Sequence, residues 1–335
     1  MEFKSMIRLL PMLFATLLMV ACGRSNTKKN DSAVVEAMAV VPIFDADSAY
    51  SFVEKQVSFG PRVPNTQAHR NCGDWLEAKL REYGAEVVDQ NIELMAYNGT
   101  KLQARNIIAQ FRPENKKRVL LCAHWDSRPW ADCDPDAANH RKPILGANDG
   151  GSGVGVLLEI ARQMSAVPAT VGVDIVLFDA EDYGTHKADH SVRHNMDNSW
   201  ALGSQYWARI PHKSPYNARY GILLDMVGAP HSTFYREGVS QHYAASIIDK
   251  VWKVAADNGY ASYFINEEGG FVTDDHLYVN EYMGIPCIDI INHDKESENG
   301  FGPYWHTVKD DMSWIDAATL KAVGQTVLAV IYNEK

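Results

Sequence analysis

The 335-residue chain has few cysteines and no excess of basic residues, and both features narrow the classes of protein it could be. Its five cysteines include no Cys-x-x-Cys spacing, so the sequence gives no sign of a structural zinc knot. Lys and Arg number 32 against 42 Asp and Glu, which argues against nucleic acid or an anionic membrane surface as the main partner. Four cysteines could form disulfides in an oxidising compartment, and their pairing stays open: Cys72, Cys122, Cys133 and Cys287.

An apolar run near the N-terminus, residues 9–20, is too short to span a membrane permanently. Basic residues precede it and a small residue and Cys22 follow it, which predicts an export signal over residues 1–22. The junction resembles a bacterial lipobox, in which Cys22 is acylated; the alternative is simple secretion, with Cys22 incidental. Residues 23–40 are polar and aperiodic and are predicted to be a tether. We therefore expect an exported bacterial lipoprotein that meets the membrane only through its lipid anchor and faces the periplasm.

Residues 41–335 are predicted to form a single catalytic domain of the α/β class. Two extended stretches, 86–97 and 101–111, are joined at Asn98-Gly99, a dipeptide that supplies the positive φ angles of a tight hairpin. Later, short apolar runs typical of strands buried on both faces alternate with helical segments. The apolar runs are 119–123, 173–178, 221–224 and 285–288, and the helices are 46–57, 66–83, 153–164, 199–209, 240–258 and 316–332. This order predicts a three-layer sandwich with a mixed, mainly parallel central sheet and the hairpin at one edge.

Polar, metal-capable side chains follow the predicted strands or lie in late loops. They are His124-Trp125-Asp126, Asn148-Asp149, Glu181-Asp182, Asp225, Asp274-Asp275-His276 and Trp305-His306. Each cluster alone could be a turn, a helix cap or a solvated surface. Because ligands bind beyond the carboxyl ends of strands in open α/β sheets, the clusters are expected to converge. Carboxylates and one imidazole suit a catalytic zinc site with an open position.

The order and spacing of these motifs resembles the zinc aminopeptidase superfamily called M28, from about Phe59 to the C-terminus. Within it, Phe59-Gly60-Pro61-Arg62, Asp274-Asp275-His276 and the Trp305 that precedes His306 resemble the glutaminyl cyclase branch. The long segment between Asp182 and Gly203 is also similar to the cyclases. The resemblance implies an enzyme that converts the N-terminal glutamine of peptides or proteins to pyroglutamate with release of ammonia.

The resemblance also implies roles for individual residues. One zinc ion per chain would be held by Asp149, Asp182 and His306. Glu181 would be the general acid and base, with Asp225 and Asp274 as its hydrogen-bonded partners. Asp182 stands where the animal cyclases have Glu, and the cysteine partner that Cys122 would have in the animal enzymes is absent.

Trp305 is implied to line the substrate pocket, and a second pocket tryptophan is either Trp200 or Trp125.

Two other functions stay open. In a two-zinc aminopeptidase, His124 and Asp225 would hold the second ion, Asp149 would bridge the two ions, and Glu181 would activate water. A non-enzymatic peptide-binding lipoprotein is the other alternative, although none of the expected ligands is missing.

Overall fold

The computed structural model describes residues 40–189 and 198–335 of the chain. The predicted signal peptide (1–22), the predicted acylation site Cys22 and nearly all of the predicted tether lie outside the described residues. Among the helices of the described ranges, none has the length and apolar character needed to cross a membrane.

The described ranges contain seven α-helices and eight strands. The helices are α1 (Ala46–Ser58), α2 (Gln67–Glu82), α3 (Gly151–Ala166), α4 (Leu202–Arg209), α5 (Gly238–Asp257), α6 (Asp275–Tyr278) and α7 (Ala317–Tyr332). The strands are β1 (Glu86–Met95), β2 (Lys101–Phe111), β3 (Arg118–His124), β4 (Gly172–Phe178), β5 (Gly221–Asp225), β6 (Phe234–Arg236), β7 (Phe264–Glu268) and β8 (Cys287–Ile291). A π-helical turn, Val279–Met283, continues α6.

Six strands form the central sheet in the order β1-β2-β4-β3-β5-β8. β3 pairs in parallel with β4 and β5, and β5 pairs in parallel with β8. β2 pairs antiparallel with β1 and β4, so the hairpin supplies the antiparallel edge. The predicted mixed, mainly parallel sheet is confirmed. A small parallel ribbon of β6 and β7 was not predicted, because both strands are short and half exposed.

Helices cover both faces of this sheet, which gives the predicted three layers. Alternate residues of β3 point to opposite sides: Leu121 belongs to the large core under α1, α2, α3, α5 and α7, whereas Cys122 belongs to the smaller core. Trp207 of α4 and Val279 fill the smaller core. Cys122 and Cys287 are buried, as predicted, and the four cysteines of the described ranges are all free thiols.

The hairpin turn differs from the prediction. Of Asn98 and Gly99, only Gly99 has a positive φ, at 82°. The Ala96 amide donates to the Thr100 carbonyl at 2.9 Å, so the turn contains three residues and needs only one left-handed position.

Two element boundaries also shift from their predicted positions. α4 begins at Leu202 rather than near Ser199, because Ala201 has a left-handed φ of 53° and interrupts the helical path. The last strand is Cys287–Ile291 rather than 285–288, so it extends further toward the site edge of the sheet.

Candidate metal centre and active site

Three groups of polar side chains lie at one edge of the sheet, where the parallel strands end. His124 ends β3 and is paired with Phe178, the last residue of β4. The chain then turns from β4 into Glu181 and Asp182, while Asp225 ends β5. Parallel neighbours end on the same side, so residues far apart in sequence lie next to one another, as predicted.

Asp149, Asp182 and His306 form a group that could hold a metal ion. Each contributes one ligand atom, and these atoms lie within 4.8 Å of one another. The His306 Nε2 lies 3.3 Å from the Asp182 Oδ1 and 3.6 Å from the Asp149 Oδ2. All three side chains are buried. The structure therefore brings together the three residues predicted as ligands.

Two buried carboxylates hold the ligand loops by accepting backbone hydrogen bonds. Asp126 accepts from the amides of Glu181, at 3.1 Å, and Asp182, at 3.2 Å. Asp310 accepts from the amide of Asp149 at 3.1 Å and from that of the preceding residue at 2.8 Å. No supporting role was predicted for either residue. Their only signal was position: Asp126 is the last residue of the cluster His124-Trp125-Asp126, and Asp310 follows His306 by four residues.

Arg128 is a further site residue that was not predicted. Its guanidinium is buried and donates to both oxygens of Asp132, at 2.8 and 2.7 Å. It also donates to the Asp182 Oδ1 at 3.2 Å and to the Asp182 carbonyl at 3.0 Å. Although burial favours the neutral acid, Arg128 lowers the pKa of Asp132 to about 2. An arginine after a strand is usually exposed, so only the fold shows this one to be a clamp on Asp182.

The chemistry of this donor set fits zinc. Two carboxylates and one imidazole match the nitrogen and oxygen ligands of catalytic zinc sites, which leave a fourth position open. The Asp182 Oδ2 is buried and has no hydrogen-bond partner among the residues that the structure describes. Burial, and then the charge of Arg128, lower the pKa of His306 to about 3, so this imidazole is in the neutral form that binds metals.

A second donor group adjoins the first and shares Asp149. The His124 Nε2 lies 3.1 Å from the Asp149 Oδ1 and 3.2 Å from the Asp225 Oδ1. The ligand atoms of these three residues also lie within 4.8 Å of one another. The same distances suit direct hydrogen bonds from a histidine to two carboxylates. The geometry therefore permits either a second ion or a hydrogen-bonded histidine.

Glu181 lines a cavity of about 440 Å³ together with Asp225 and Asp274. Burial raises the pKa of Glu181, and the charges of Asp274 and Asp182 raise it further against the opposing effect of His124. Burial is also the main reason that the pKa of Asp225 rises to about 7. Carboxyl groups with raised pKa values suit proton transfer near neutral pH.

Trp200 and Trp305 form aromatic walls of this cavity. Trp305 stacks on His306 with ring centroids 3.7 Å apart, and Trp200 lies parallel to His306 at 6.0 Å. Gly184 leaves room for the Trp200 side chain, since a Cβ at position 184 would lie 2.1 Å from the indole ring.

Trp125, the other candidate for the second wall, does not line the cavity. It is fully buried, stacks on His69 at 4.3 Å and donates its indole N–H to the Arg105 carbonyl. Of the two candidates, Trp200 is the one that the structure places at the site.

Behind Asp274 lies a further buried polar group. The His276 Nε2 donates to the Glu237 carboxylate at 3.0 Å, and the His276 Nδ1 lies 3.9 Å from Asp289. Glu237 also caps α5 by accepting from the amides of Val239 and Ser240. This group ties the loop that carries Asp274 to the start of α5.

Comparison with known proteins places these features in a family context. Residues 106–331 match the family model described as peptidase family M28. The crystal structure of Bacteroides thetaiotaomicron glutaminyl cyclase bound to N-acetylhistamine is 56% identical, with a TM-score of 0.86. A Zn-dependent exopeptidase from Parabacteroides distasonis is 58% identical, also with a TM-score of 0.86. Both alignments cover 88% of this chain and 100% of the other chain.

A more distant relative is the aminopeptidase YwaD of Bacillus subtilis. It is 27% identical over 289 residues, and the alignment covers 82% of this chain. The chain spans 54% of the length of that protein.

Proposed function

Because this chain belongs to peptidase family M28, we propose that its cavity is the active site of a zinc-dependent glutaminyl cyclase. The substrate is a peptide or protein with an N-terminal glutamine. Its α-amine nitrogen bonds to the γ-carbonyl carbon, the bond from that carbon to the side-chain nitrogen breaks, and ammonia leaves. The product carries an N-terminal pyroglutamate. The predicted assignment to the glutaminyl cyclase branch of M28 agrees with the relatives found.

The observation that carries the proposal is the composition of the cavity. One space of about 440 Å³ is lined by the carboxylate of Glu181, by the ligand group of Asp149, Asp182 and His306, and by two tryptophans. Aromatic walls suit a substrate that must fold back on itself, because they hold the amine against the carbonyl carbon. The size lies within the range of pockets that enclose small ligands.

Asp149, Asp182 and His306 would hold one zinc ion per chain. When bound, zinc supplies Lewis-acid polarisation of a substrate carbonyl oxygen. Arg128 fixes the direction of Asp182 through hydrogen bonds to its carboxylate and carbonyl. Burial and the charge of Asp149 raise the pKa of Asp182, and the charge of Arg128 opposes that rise. Asp310 fixes Asp149 through its backbone amide.

Glu181 would act as the general base and then as the general acid in this reaction. Its carboxylate accepts a proton from the substrate α-ammonium, which frees the amine to attack, and returns it to the departing nitrogen. Burial and the nearby charges of Asp274 and Asp182 raise the pKa of Glu181, while Asp126 holds its backbone in place. Asp225 and Asp274 share the buried cavity and complete the acidic group.

The test is a paired assay with metal analysis. The purified protein is offered a glutaminyl arylamide and a leucyl arylamide, and ammonia, pyroglutamyl product and free leucine are measured. We expect ammonia and pyroglutamate from the first substrate, no leucine from the second, and one zinc per chain. Leucine release by a protein with two zinc ions would contradict the proposal.

The second candidate is a two-zinc aminopeptidase, and the observation that favours it is the group formed by His124, Asp149 and Asp225. A His124→Gln variant separates the two functions. In the cyclase, this substitution removes a hydrogen-bonding residue and leaves one zinc per chain. In the aminopeptidase it removes a ligand, so the zinc content falls from two ions to one together with leucine release.

For the N-terminal segment we propose cleavage after residue 21 and acylation of Cys22, which would anchor the enzyme to a membrane on the periplasmic side. The support is the sequence of residues 1–22, in which basic residues are followed by an apolar run and then by a small residue. Labelling of the expressed protein with a radioactive fatty acid tests it. We expect label in the wild-type protein and none in Cys22→Ser; equal labelling of both would contradict the proposal.

A further inference from the structure

Phe271 is a large apolar side chain at the mouth of the cavity. It is 80% exposed, yet it lines the same cavity as Glu181 and Trp305. Scattered exposed apolar residues are common in soluble proteins. This one differs because it stands beside the predicted catalytic residues and because the chain holds it in place.

The ring of Phe271 packs directly against a glycine. A Cβ at position 238 would lie 2.7 Å from two ring carbons of Phe271 and 2.8 Å from a third. The ring therefore rests on the backbone of Gly238, at the first residue of α5, while most of its surface stays open to solvent. Any larger residue at 238 would displace the ring.

Three hydrogen bonds fix the loop that carries Phe271. The Gly269 amide donates to the Arg236 carbonyl at 2.8 Å, and the Gly238 amide donates to the Gly270 carbonyl at 2.9 Å. The Val272 amide donates to the Glu237 carboxylate at 2.9 Å. The loop is thus attached to the β6–α5 junction on both sides of the phenylalanine. Its exposed ring has a defined position.

The same loop contributes to the chemistry further inside the cavity. Asp274 follows Phe271 by three residues and lies beside Glu181, so the loop runs from the mouth to the catalytic carboxylates. The lining of the cavity also includes the apolar residues Val272, Ile291 and Phe301. At about 440 Å³, the cavity lies in the size range of pockets that enclose drug-sized ligands, so it has room for more than the N-terminal glutamine of a peptide.

We propose that Phe271 contacts the side chain of the residue after the N-terminal glutamine, and that it favours substrates with a large aromatic or aliphatic residue there. The inference rests on the proposed cyclase function. With glutamine folded back beside Glu181 and the tryptophans, the next residue of the peptide leaves through the mouth, where the open face of Phe271 lies. Aromatic rings in contact gain affinity beyond the simple burial of their surface.

The experiment compares two peptides, Gln-Phe-Ala and Gln-Gly-Ala, by the ratio of their kcat/KM values for ammonia release. We expect the ratio to exceed one in the wild-type protein and to fall by about 2- to 12-fold in Phe271→Ala, the range for loss of one aromatic pair. Phe271→Tyr should retain the preference because it keeps the ring. Ile43→Ala is the matched control, since Ile43 is 78% exposed and does not line the cavity.

Each outcome decides the matter. A ratio near one in the wild-type protein, or a ratio that Phe271→Ala leaves unchanged while both peptides are cyclised, would overturn the role of Phe271 and leave the cyclase function intact. An equal fall of the ratio in Ile43→Ala would also overturn it. Failure of the wild-type protein to cyclise either peptide would reject the proposed function itself.

Discussion

Replacement of Arg128 by methionine tests how the buried charges of the candidate metal centre are stabilised. The guanidinium is 1% exposed and donates five hydrogen bonds: two to Asp132, two to Asp182 and one to the Thr185 carbonyl. Methionine fills similar space but carries no charge. Asp132 and Asp182 would then be buried next to one another without the cation that balances them.

Loss of one partner from a buried ion pair typically costs about 3–5 kcal/mol, because the remaining charge is left uncompensated. We therefore expect the free energy of unfolding of Arg128→Met to fall by about 3–5 kcal/mol. Arg128→Lys should fall by less but still measurably, since one ammonium cannot replace the planar bidentate contact with Asp132. Arg81→Met is the control: Arg81 pairs with Glu77 on the surface of α2, and such pairs contribute about 1 kcal/mol or less.

The measurement is urea unfolding followed by circular dichroism on the three variants and the wild-type protein. Zinc content is measured in parallel, because Arg128 orients Asp182. If Arg128→Met unfolds within about 1 kcal/mol of the wild-type protein, like the Arg81 control, then the buried pairs with Asp132 and Asp182 do not stabilise the fold as argued.

Three further perturbations give expected outcomes. His306→Ala should lose both zinc and turnover, measured by metal analysis and ammonia release; normal zinc content would contradict its role as a ligand. Gly184→Ala should push Trp200 from its place and lower kcat/KM by about 10- to 100-fold with zinc retained, since small misplacements are costly in catalysis; unchanged kinetics would show that Trp200 does not position substrate. Glu237→Gln should change the stability of the protein in acid. Although burial alone would raise the pKa of Glu237, its hydrogen bonds and the charge of His276 lower the pKa to about 2 in the folded protein. The difference from the ordinary value of 4.5 corresponds to roughly 3 kcal/mol of stability. That stabilisation is present above about pH 5 and is lost as the pH falls through 2, so the difference in unfolding free energy between the wild-type protein and Glu237→Gln should shrink over that range; a constant difference would contradict the assignment.

The sequence was sufficient to predict the mixed, mainly parallel sheet and the polar clusters that meet at one edge of it. Short apolar runs buried on both faces, each followed by acidic or histidine residues, define strands and strand ends without any three-dimensional information. This is why Asp149, Glu181 and His306 could be expected to meet although they are far apart in the chain. The hairpin was located correctly, whereas its turn was not, because Asn98-Gly99 is compatible with both two-residue and three-residue loops.

The residues that support the site could not be predicted, because their roles depend on how deeply they are buried in the fold rather than on residue type. Arg128 and Asp310 are ordinary charged residues in sequence, and only the packing of the loops shows that both are buried against ligand segments. Trp125 and Trp200 were equivalent candidates for the pocket wall. The fold separates them, since one stacks on His69 in the core and the other lines the cavity.

The most direct test of the account is the behaviour of Glu181→Gln. The substitution keeps the size of the side chain and removes the carboxylate that is proposed to accept and return the proton. We predict one zinc per chain, an unchanged fold by circular dichroism, and a rate of cyclisation lower by about 10²- to 10⁴-fold. A folded, zinc-loaded Glu181→Gln protein that cyclises glutaminyl peptides at the wild-type rate would contradict the central claim.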